Sequence, residues 1–463
     1  GKGYTTWDEV RCVMSSWPIN FLIDSCLGNS SGLDNSIQFK RVCTDTRKIK
    51  SGDLFVALKG ENFNGNKFAA EAIEMGAVAV VIDEPIKDVP CLLVDDARKA
   101  YGQLAAAHRD QFDLPVFGVA GSNGKTSTKE MLASILRKKY QTVFSEASFN
   151  NDVGLPATLF RICSNTEVAV LELGTNHPGE LAPLIRMSKP MYGLITGIGR
   201  EHLEFFHDLD GVVKEEGMLA ELLPESGKLF LYGDGSWVNS IIQRCSAVCE
   251  TVGFGPQNHW RVGGVQLKEG MTRFMLSSPK SDLSGEYEIP LLGRHQATNA
   301  GLAIAAAAEM DIDQETIMMG LSDCPQPKQR MQMTKRKGVV WINDAYNANA
   351  DSVVAAFGAL ADISVTGKKY AVLGDMAELG EYAECAHKEA GEQAAGVVTG
   401  LVVVGAWAEV VAKSARQRGV KYVEVAANLE AAAELLSRWL KSGDAVLLKA
   451  SRASRFEQLE DMV

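Results

Sequence analysis

The 463-residue chain reads as an α/β protein of three domains, the middle one built on a doubly wound, mostly parallel sheet. Three observations predict this. The length exceeds what one hydrophobic core organises, and about three domains is the expectation for it. Short apolar runs alternate with helical stretches along the whole chain, the pattern of strand–helix–strand units. Finally, a glycine-rich turn joins one such run to one such stretch: Val116-Phe-Gly-Val-Ala-Gly-Ser-Asn-Gly-Lys-Thr-Ser-Thr-Lys129.

In chain order, residues 1–113 form a small α/β domain. Apolar runs at 55–58, 77–82 and 91–94 read as buried strands, and 66–75 and 97–109 as helices. Phe112-Asp-Leu-Pro115 is a linker, because proline disfavours helix in the residue before it. The second domain, 114–325, starts with the glycine-rich turn, and an amphipathic helix is expected over 129–140. Further strands are expected at 168–173 and 192–196, an antiparallel patch over 259–290, and an Ala-rich helix over 299–309. Cys324-Pro-Gln-Pro-Lys328 is the second linker. The third domain, 326–463, repeats the theme, with strands at 339–342, 370–373, 401–404 and 445–448. Its helices are expected near 351–361, 381–396, 407–418 and 428–440.

The turn reads as a phosphate-binding loop; the alternative is an ordinary glycine-rich turn before a helix. Gly121 and Gly124 let the backbone curl so that N–H groups converge on phosphate oxygens. Lys125 bridges the outer phosphates, and the Thr126 hydroxyl is a Mg²⁺ ligand. The commonest pattern has one more glycine, where Val119 stands here, so the loop is a compact G-x-x-G-K-T. Ligands of such sheets sit at the carboxyl ends of the strands.

Bulk properties narrow the class. A net charge of −11 argues against general binding to nucleic acid or to an acidic membrane. Nine scattered cysteines without C-x-x-C spacing, Cys245 and Cys249 included, read as reduced thiols of a cytoplasmic protein. No apolar run approaches the length of a transmembrane helix, and no signal-peptide pattern opens the chain.

Other polar residues stand where chemistry is expected. Glu172 closes an apolar strand before Gly174-Thr-Asn-His-Pro178 and is placed to hold Mg²⁺; the alternative is a strand-end carboxylate facing solvent. His202 lies just past another strand, as a metal or phosphate contact or as a structural histidine. Asp344, at the end of the 339–342 strand in Asn343-Asp-Ala-Tyr-Asn-Ala-Asn349, suits a ribose or a plain turn. Gly293-Arg-His-Gln-Ala-Thr-Asn299 opens a helix. Thr44-Asp-Thr-Arg47 and Lys59-Gly-Glu-Asn-Phe-Asn-Gly65 put basic and amide groups in loops of the first domain.

Taken together these clusters resemble the Mur ligase family, in collinear order over nearly the whole chain. Besides the stretches above, the carriers are Asn150-Asn-Asp-Val-Gly-Leu-Pro156, Leu171-Glu-Leu-Gly-Thr-Asn-His-Pro-Gly-Glu180, His202-Leu-Glu204 and Leu373-Gly-Asp-Met-Ala-Glu-Leu-Gly380. Within the family they point to the branch that adds D-alanyl-D-alanine; the Asp-Asn-Pro-Arg motif typical of the diaminopimelate-adding branch is missing. The resemblance implies a P-loop ATPase-like central domain and a Rossmann-like C-terminal domain. It implies an ATP-dependent amide ligase that activates a carboxylate as an acyl phosphate before amine attack, with ATP and Mg²⁺ required. The implied substrates are UDP-N-acetylmuramoyl-tripeptide and D-alanyl-D-alanine, and the implied state is a monomer.

By family position, Gly121, Ser122, Asn123, Gly124, Lys125, Thr126 and Ser127 hold the nucleotide phosphates. Asn299 reads adenine, and Asp344 with Arg330 serves the ribose end. Lys125, Glu172, His202 and Glu216 carry the chemistry, and Thr126, Glu172, His202 and Glu216 the metals. Thr44, Asp45, Arg47, Lys59, Gly60 and Asn64 hold the UDP end. Asn150, Asn151, Asn347 and Asp351 are further substrate-binding positions, Asp351 towards the dipeptide side. Rival readings are another ligase of the family adding a single amino acid, and a nucleotide-binding scaffold without catalysis.

Departures from the pattern matter. The position fourteen residues after His202 usually holds a lysine, converted by CO₂ to a metal-binding carbamate; here it is Glu216. Lys214 lies about 200° away around a helix, a poor substitute. The expectation is that Glu216 supplies the carboxylate directly; the alternative is a surface residue. Gln296 and Ala350 replace asparagine and proline, both mild changes, and Ala450 replaces a glycine, which limits that turn to φ values open to non-glycine residues.

Overall fold

The computed structural model describes residues 16–463, the side chain of Ala453 excepted, so the first fifteen residues of the expected first domain lie outside the described residues. The chain forms two compact units. One runs to Val116 and adds Tyr140–Leu173 and Pro183–Pro190. The other comprises Phe117–Lys139, Gly174–Ala182 and Met191–Val463.

The first unit holds a five-stranded sheet in the order Gly28–Ser31, Cys91–Val94, Ala79–Ile82, Asp53–Val56, Arg41–Cys43. All neighbours are parallel except the first pair. The strand expected at 55–58 starts earlier, at a charged residue. Asp53 is buried because Arg41 Nε at 3.1 Å and the Lys50 N–H at 2.8 Å satisfy its carboxylate. Helix Ala97–Arg109 begins where Asp96 accepts from the N–H groups of Arg98 and Lys99. Strands Thr142–Phe144 and Val168–Glu172 pair in parallel in the same unit. Trp17 stacks on Phe39 at 5.2 Å and meets the His108 ring edge-on at 5.1 Å, while His108 Nε2 bonds the Ile162 carbonyl at 2.9 Å. Cys163 is disulfide-bonded, which corrects the expectation of nine reduced thiols.

In the second unit, seven strands run in the order Val116–Ala120, Tyr192–Ile195, Lys228–Tyr232, Val248–Gly253, Trp260–Lys268, Met271–Ser277, Gly285–Ile289. The first five are parallel and the last two antiparallel, so the patch over 259–290 is as expected. Lys228–Tyr232 and Val248–Gly253 escaped the apolar-run criterion. Charged residues interrupt them and are satisfied by pairing: Lys228 Nζ lies 2.6 Å from Glu250, within the second strand, and 2.9 Å from Glu309. Helix Lys125–Leu136 starts at the end of the glycine turn, four residues before the expected start, and is buried on nearly all faces, so it is not amphipathic. Helix Arg294–Ala307 likewise starts early, after Gly293 at φ +126°, and packs against it.

A six-stranded sheet follows in the order Gln332–Arg336, Val339–Asp344, Ala445–Lys449, Lys369–Leu373, Gly400–Val404, Tyr422–Ala426. Only the first strand is antiparallel to its neighbour. The two edge strands were not anticipated, because their polar residues mask the pattern that central strands show. Trp341, Val372, Val402, Leu436, Val446 and Phe456 form part of its core.

Candidate functional site

The glycine-rich loop expected to bind phosphate is shaped by two glycines with positive φ. At Gly121 (φ +116°) a Cβ would lie 2.4 Å from Thr196 Oγ1, and at Gly124 (φ +98°) 2.6 Å from Asn299 Oδ1. The loop is anchored from below. The N–H groups of Ser122 and Asn123 donate to the Gly197 carbonyl at 2.8 and 3.1 Å, and Ser122 Oγ accepts from the Gly199 N–H at 2.9 Å. Lys125 Nζ folds back onto the Gly121 carbonyl, lies 3.3 Å from that of Ser122, and stands 3.9 Å from Glu201. Thr126 and Ser127 are buried in the first turn of the helix. Asn299 is also buried, its amide donating to Gln296 Oε1 at 3.1 Å, so the glutamine preserves a polar contact here.

Helix Leu209–Glu216 ends in two consecutive buried glutamates. Glu216 is 1% exposed, and its Oε2 accepts from the Gly121 N–H at 2.7 Å. Its Oε1 has no hydrogen-bond partner among the described residues. Burial pushes this carboxyl above its ordinary range, opposed by Lys125 and by the Gly121 N–H. Lys214 is exposed, on the side that the helical angle predicts. Glu215 turns to the loop after Gly174: it accepts from the N–H groups of Gly179 at 2.9 Å and Leu181 at 2.8 Å.

Glu201 went unread in the sequence. It is 5% exposed, and burial pushes its carboxyl up to about 8 against the pull of Lys125. Its only sequence signal is its place beside His202. The His202 backbone is left-handed (φ +50°), its Nδ1 bonds the Glu378 carboxylate, and its Nε2 lies 4.0 Å from Glu201. Burial pushes the ring below its ordinary value, countered by Glu378. Lys125, Glu201, His202 and Glu216 therefore share one electrostatic neighbourhood. Among the described residues no three His, Cys, Asp or Glu side chains form a ready-made metal cage.

Asp344 is paired with Lys449 Nζ at 2.7 Å and accepts from the Met331 N–H at 3.1 Å. Lys449 also reaches the Asn347 carbonyl at 2.7 Å. The Arg330 guanidinium lies 4.2 Å from the Tyr346 ring centroid. Asp351 is bound by Arg200, another residue the sequence did not disclose.

In the other unit, Glu172 is 1% exposed and accepts from the Asn150 amide at 2.9 Å, which removes the solvent-facing alternative. Asn151 Oδ1 accepts from the N–H groups of Val153 and Gly154. Thr44 is half-buried. Arg47 forks onto Asp45 at 2.9 and 2.8 Å. Lys59 stands between Asp83 at 2.9 Å and Glu84 at 3.0 Å, and Gly60 and Asn64 sit in the adjoining hairpin.

Comparison with known proteins matches three family models in order: "Mur ligase family, catalytic domain" over 38–109, "Mur ligase middle domain" over 119–307 and "Mur ligase, glutamate ligase domain" over 329–452. The UDP-N-acetylmuramoyl-tripeptide–D-alanyl-D-alanine ligase of Bacillus subtilis is 35% identical over 90% of this chain and 92% of its own length. The crystal structure of MurF from Acinetobacter baumannii is similar at a TM-score of 0.89, with 28% identity over 97% of this chain and 98% of that one. MurF from Thermotoga maritima, solved in complex with ADP, is similar at 0.82, with 26% identity over 91% of this chain and 96% of that one.

Proposed function

The chain belongs to the Mur ligase family, and from this premise we propose that it joins D-alanyl-D-alanine to UDP-N-acetylmuramoyl-tripeptide with cleavage of ATP to ADP and phosphate. It is an ATP-dependent ligase of peptidoglycan precursor synthesis, acting in the cytoplasm as a monomer. The observation that carries the reading is the loop Gly121–Thr126 with Lys125 and the buried Glu216 converging on it, in a chain similar to ligases of this name along nine-tenths of its length.

The domains are 1–113 for the UDP end, 114–325 for ATP, and 326–463 for the incoming dipeptide. The substrate's terminal carboxylate attacks the γ-phosphate of ATP, and the resulting acyl phosphate is attacked by the dipeptide amine. Two anions must meet, so their repulsion must be offset in a site with little water. Lys125 leaves its carbonyl contacts for the outer phosphates, and the loop N–H groups take the remaining oxygens. Asn299 and Asp344, with Arg330, orient the adenine and ribose, and Thr44, Asp45, Arg47, Lys59, Gly60 and Asn64 the uridine diphosphate. Asn150, Asn151 and Asn347 face the peptides.

Mg²⁺ fits the donors present: a buried hydroxyl on Thr126 and a buried carboxylate oxygen of Glu216 with no partner among the described residues, all hard oxygens. Glu172 and His202 join this set from their family-motif positions. The ion's contribution is to neutralise charge on the phosphates. Glu216 makes a lysine carbamate unnecessary, and the enzyme works without CO₂.

The test is phosphate release from Mg²⁺-ATP with purified protein. Release that needs both the UDP-muramoyl-tripeptide and D-alanyl-D-alanine supports the reading. Release with one amino acid in place of the dipeptide moves the chain to another branch, and ATP binding without release makes it a scaffold.

A further inference from the structure

Arg200 follows Gly197-Ile-Gly199 in the loop after strand Tyr192–Ile195. Its backbone N–H donates to Asp351 Oδ2 at 2.6 Å. Its Nε and Nη2 donate to Asp351 Oδ1 at 3.1 and 2.7 Å, and Nη1 and Nη2 to the Glu389 carboxylate at 2.7 and 3.2 Å. The two acids sit on different helices, Ala350–Asp362 and Ala383–Ala394. One planar fork thus ties two helices to one loop, a geometry that an ammonium cannot reproduce.

That loop is the one that anchors the phosphate loop through Gly197 and Gly199. At Gly199 a Cβ would lie 2.5 Å from Asp351 Oδ2, so the approach of the helix depends on a bare backbone there. A second contact runs in parallel. Asn349, the N-cap of helix Ala350–Asp362, exchanges amide hydrogen bonds with Asn123 of the phosphate loop at 3.1 and 3.4 Å. Asp351 therefore receives three donors from one residue, which occupy most of its acceptor positions and offset its charge.

We propose that Arg200 is a positioning residue, which seats helix Ala350–Asp362 on the phosphate loop and engages Asp351, so that Asp351 acts through Arg200 and does not hold the dipeptide's ammonium group. The statement about the dipeptide rests on the proposed ligase reaction; the statement about the phosphate loop does not.

The test uses the full chain and four variants: Arg200→Ala, Arg200→Lys, Asp351→Asn and the double variant Arg200→Ala with Asp351→Asn. ADP affinity is read by calorimetry, which needs no turnover, and thermal melts verify folding. KM for ATP and for D-alanyl-D-alanine is then compared with kcat. Arg200→Ala is expected to weaken ADP binding roughly three- to tenfold, the range for a partly exposed charged network. Asp351→Asn is expected to match it, the double variant to be no worse than the worse single one, and Arg200→Lys to recover part of the loss. Unchanged ADP affinity in Arg200→Ala, or additive losses in the double variant, overturns the positioning role. A rise in dipeptide KM in Asp351→Asn that Arg200→Ala does not share overturns the reassignment of Asp351. If no ligase turnover is found, the ADP measurements alone still decide the positioning role.

Discussion

Replacing Glu216 by glutamine separates its two functions. The amide keeps the volume and an oxygen for the Gly121 N–H, now 2.7 Å from the carboxylate, but loses the charge. A bond to a charged acceptor stabilises by about 1.5–3 kcal/mol and a neutral one by about 0.5–1.5, so about 1 kcal/mol is lost there. Removing a charge from a site that is 1% exposed offsets it. The variant should therefore melt within a few degrees of the parent. Its Mg²⁺ requirement should rise at least tenfold to a hundredfold, the range seen when metal-site support is removed. The assay is phosphate release against Mg²⁺ concentration, with ADP binding measured with and without the ion. An unchanged Mg²⁺ requirement in Glu216→Gln would refute the assignment. In parallel, removal of bicarbonate should leave the parent unaffected, whereas Glu216→Lys should become bicarbonate-dependent; loss of parental activity without CO₂ would also refute it.

Three further outcomes are expected. Gly124→Ala meets both a left-handed backbone at φ +98° and Asn299 Oδ1 at 2.6 Å, so it should lose about 1–2 kcal/mol from the backbone alone and bind ADP poorly, as calorimetry would read. The Glu201 carboxyl, with its value raised from 4.5 to about 8, binds its proton more tightly folded than unfolded. Its stabilisation is complete below about pH 4.5 and is lost as pH rises through about 8, so the gain in melting temperature from Glu201→Gln should be larger at pH 8 than at pH 5. A gain that shrinks over this range contradicts the burial argument. Lys449→Met strands Asp344, which is only 14% exposed, and should cost about 3 kcal/mol in urea unfolding; a loss below half of that would mean Asp344 relaxes to solvent.

The shape of the glycine-rich loop was legible in sequence because it is local: two glycines that need positive φ, then lysine and threonine on the first helical turn. The orientation of Glu216 was legible for a similar reason, since helical angle alone separates it from Lys214. Glu201 and Arg200 were not, because their significance arises only when the loop after Tyr192–Ile195 meets residues distant in sequence: Lys125 for Glu201, and Asp351 and Glu389 for Arg200. Strands Lys228–Tyr232 and Val248–Gly253 were missed because each carries a charged residue, Lys228 and Glu250, whose pairing is invisible as apolar pattern. The early starts of helices Lys125–Leu136 and Arg294–Ala307 follow from treating glycine turns as loop until the apolar face begins, whereas each turn delivers the chain directly into helix.

The adjacent Glu215 and Glu216 have a mechanical consequence. One carboxylate grips the loop at Gly179 and Leu181, the other the loop at Gly121, and both sit on the same rigid turn of helix. The two loops are thereby tied to one another through a single helical turn. Insertion or deletion of a single residue in that helix, between its N-cap Asp208 and Glu216, would rotate the pair by about 100° relative to the helix start and is expected to disengage both loops at once, so this spacing behaves as a phase setting.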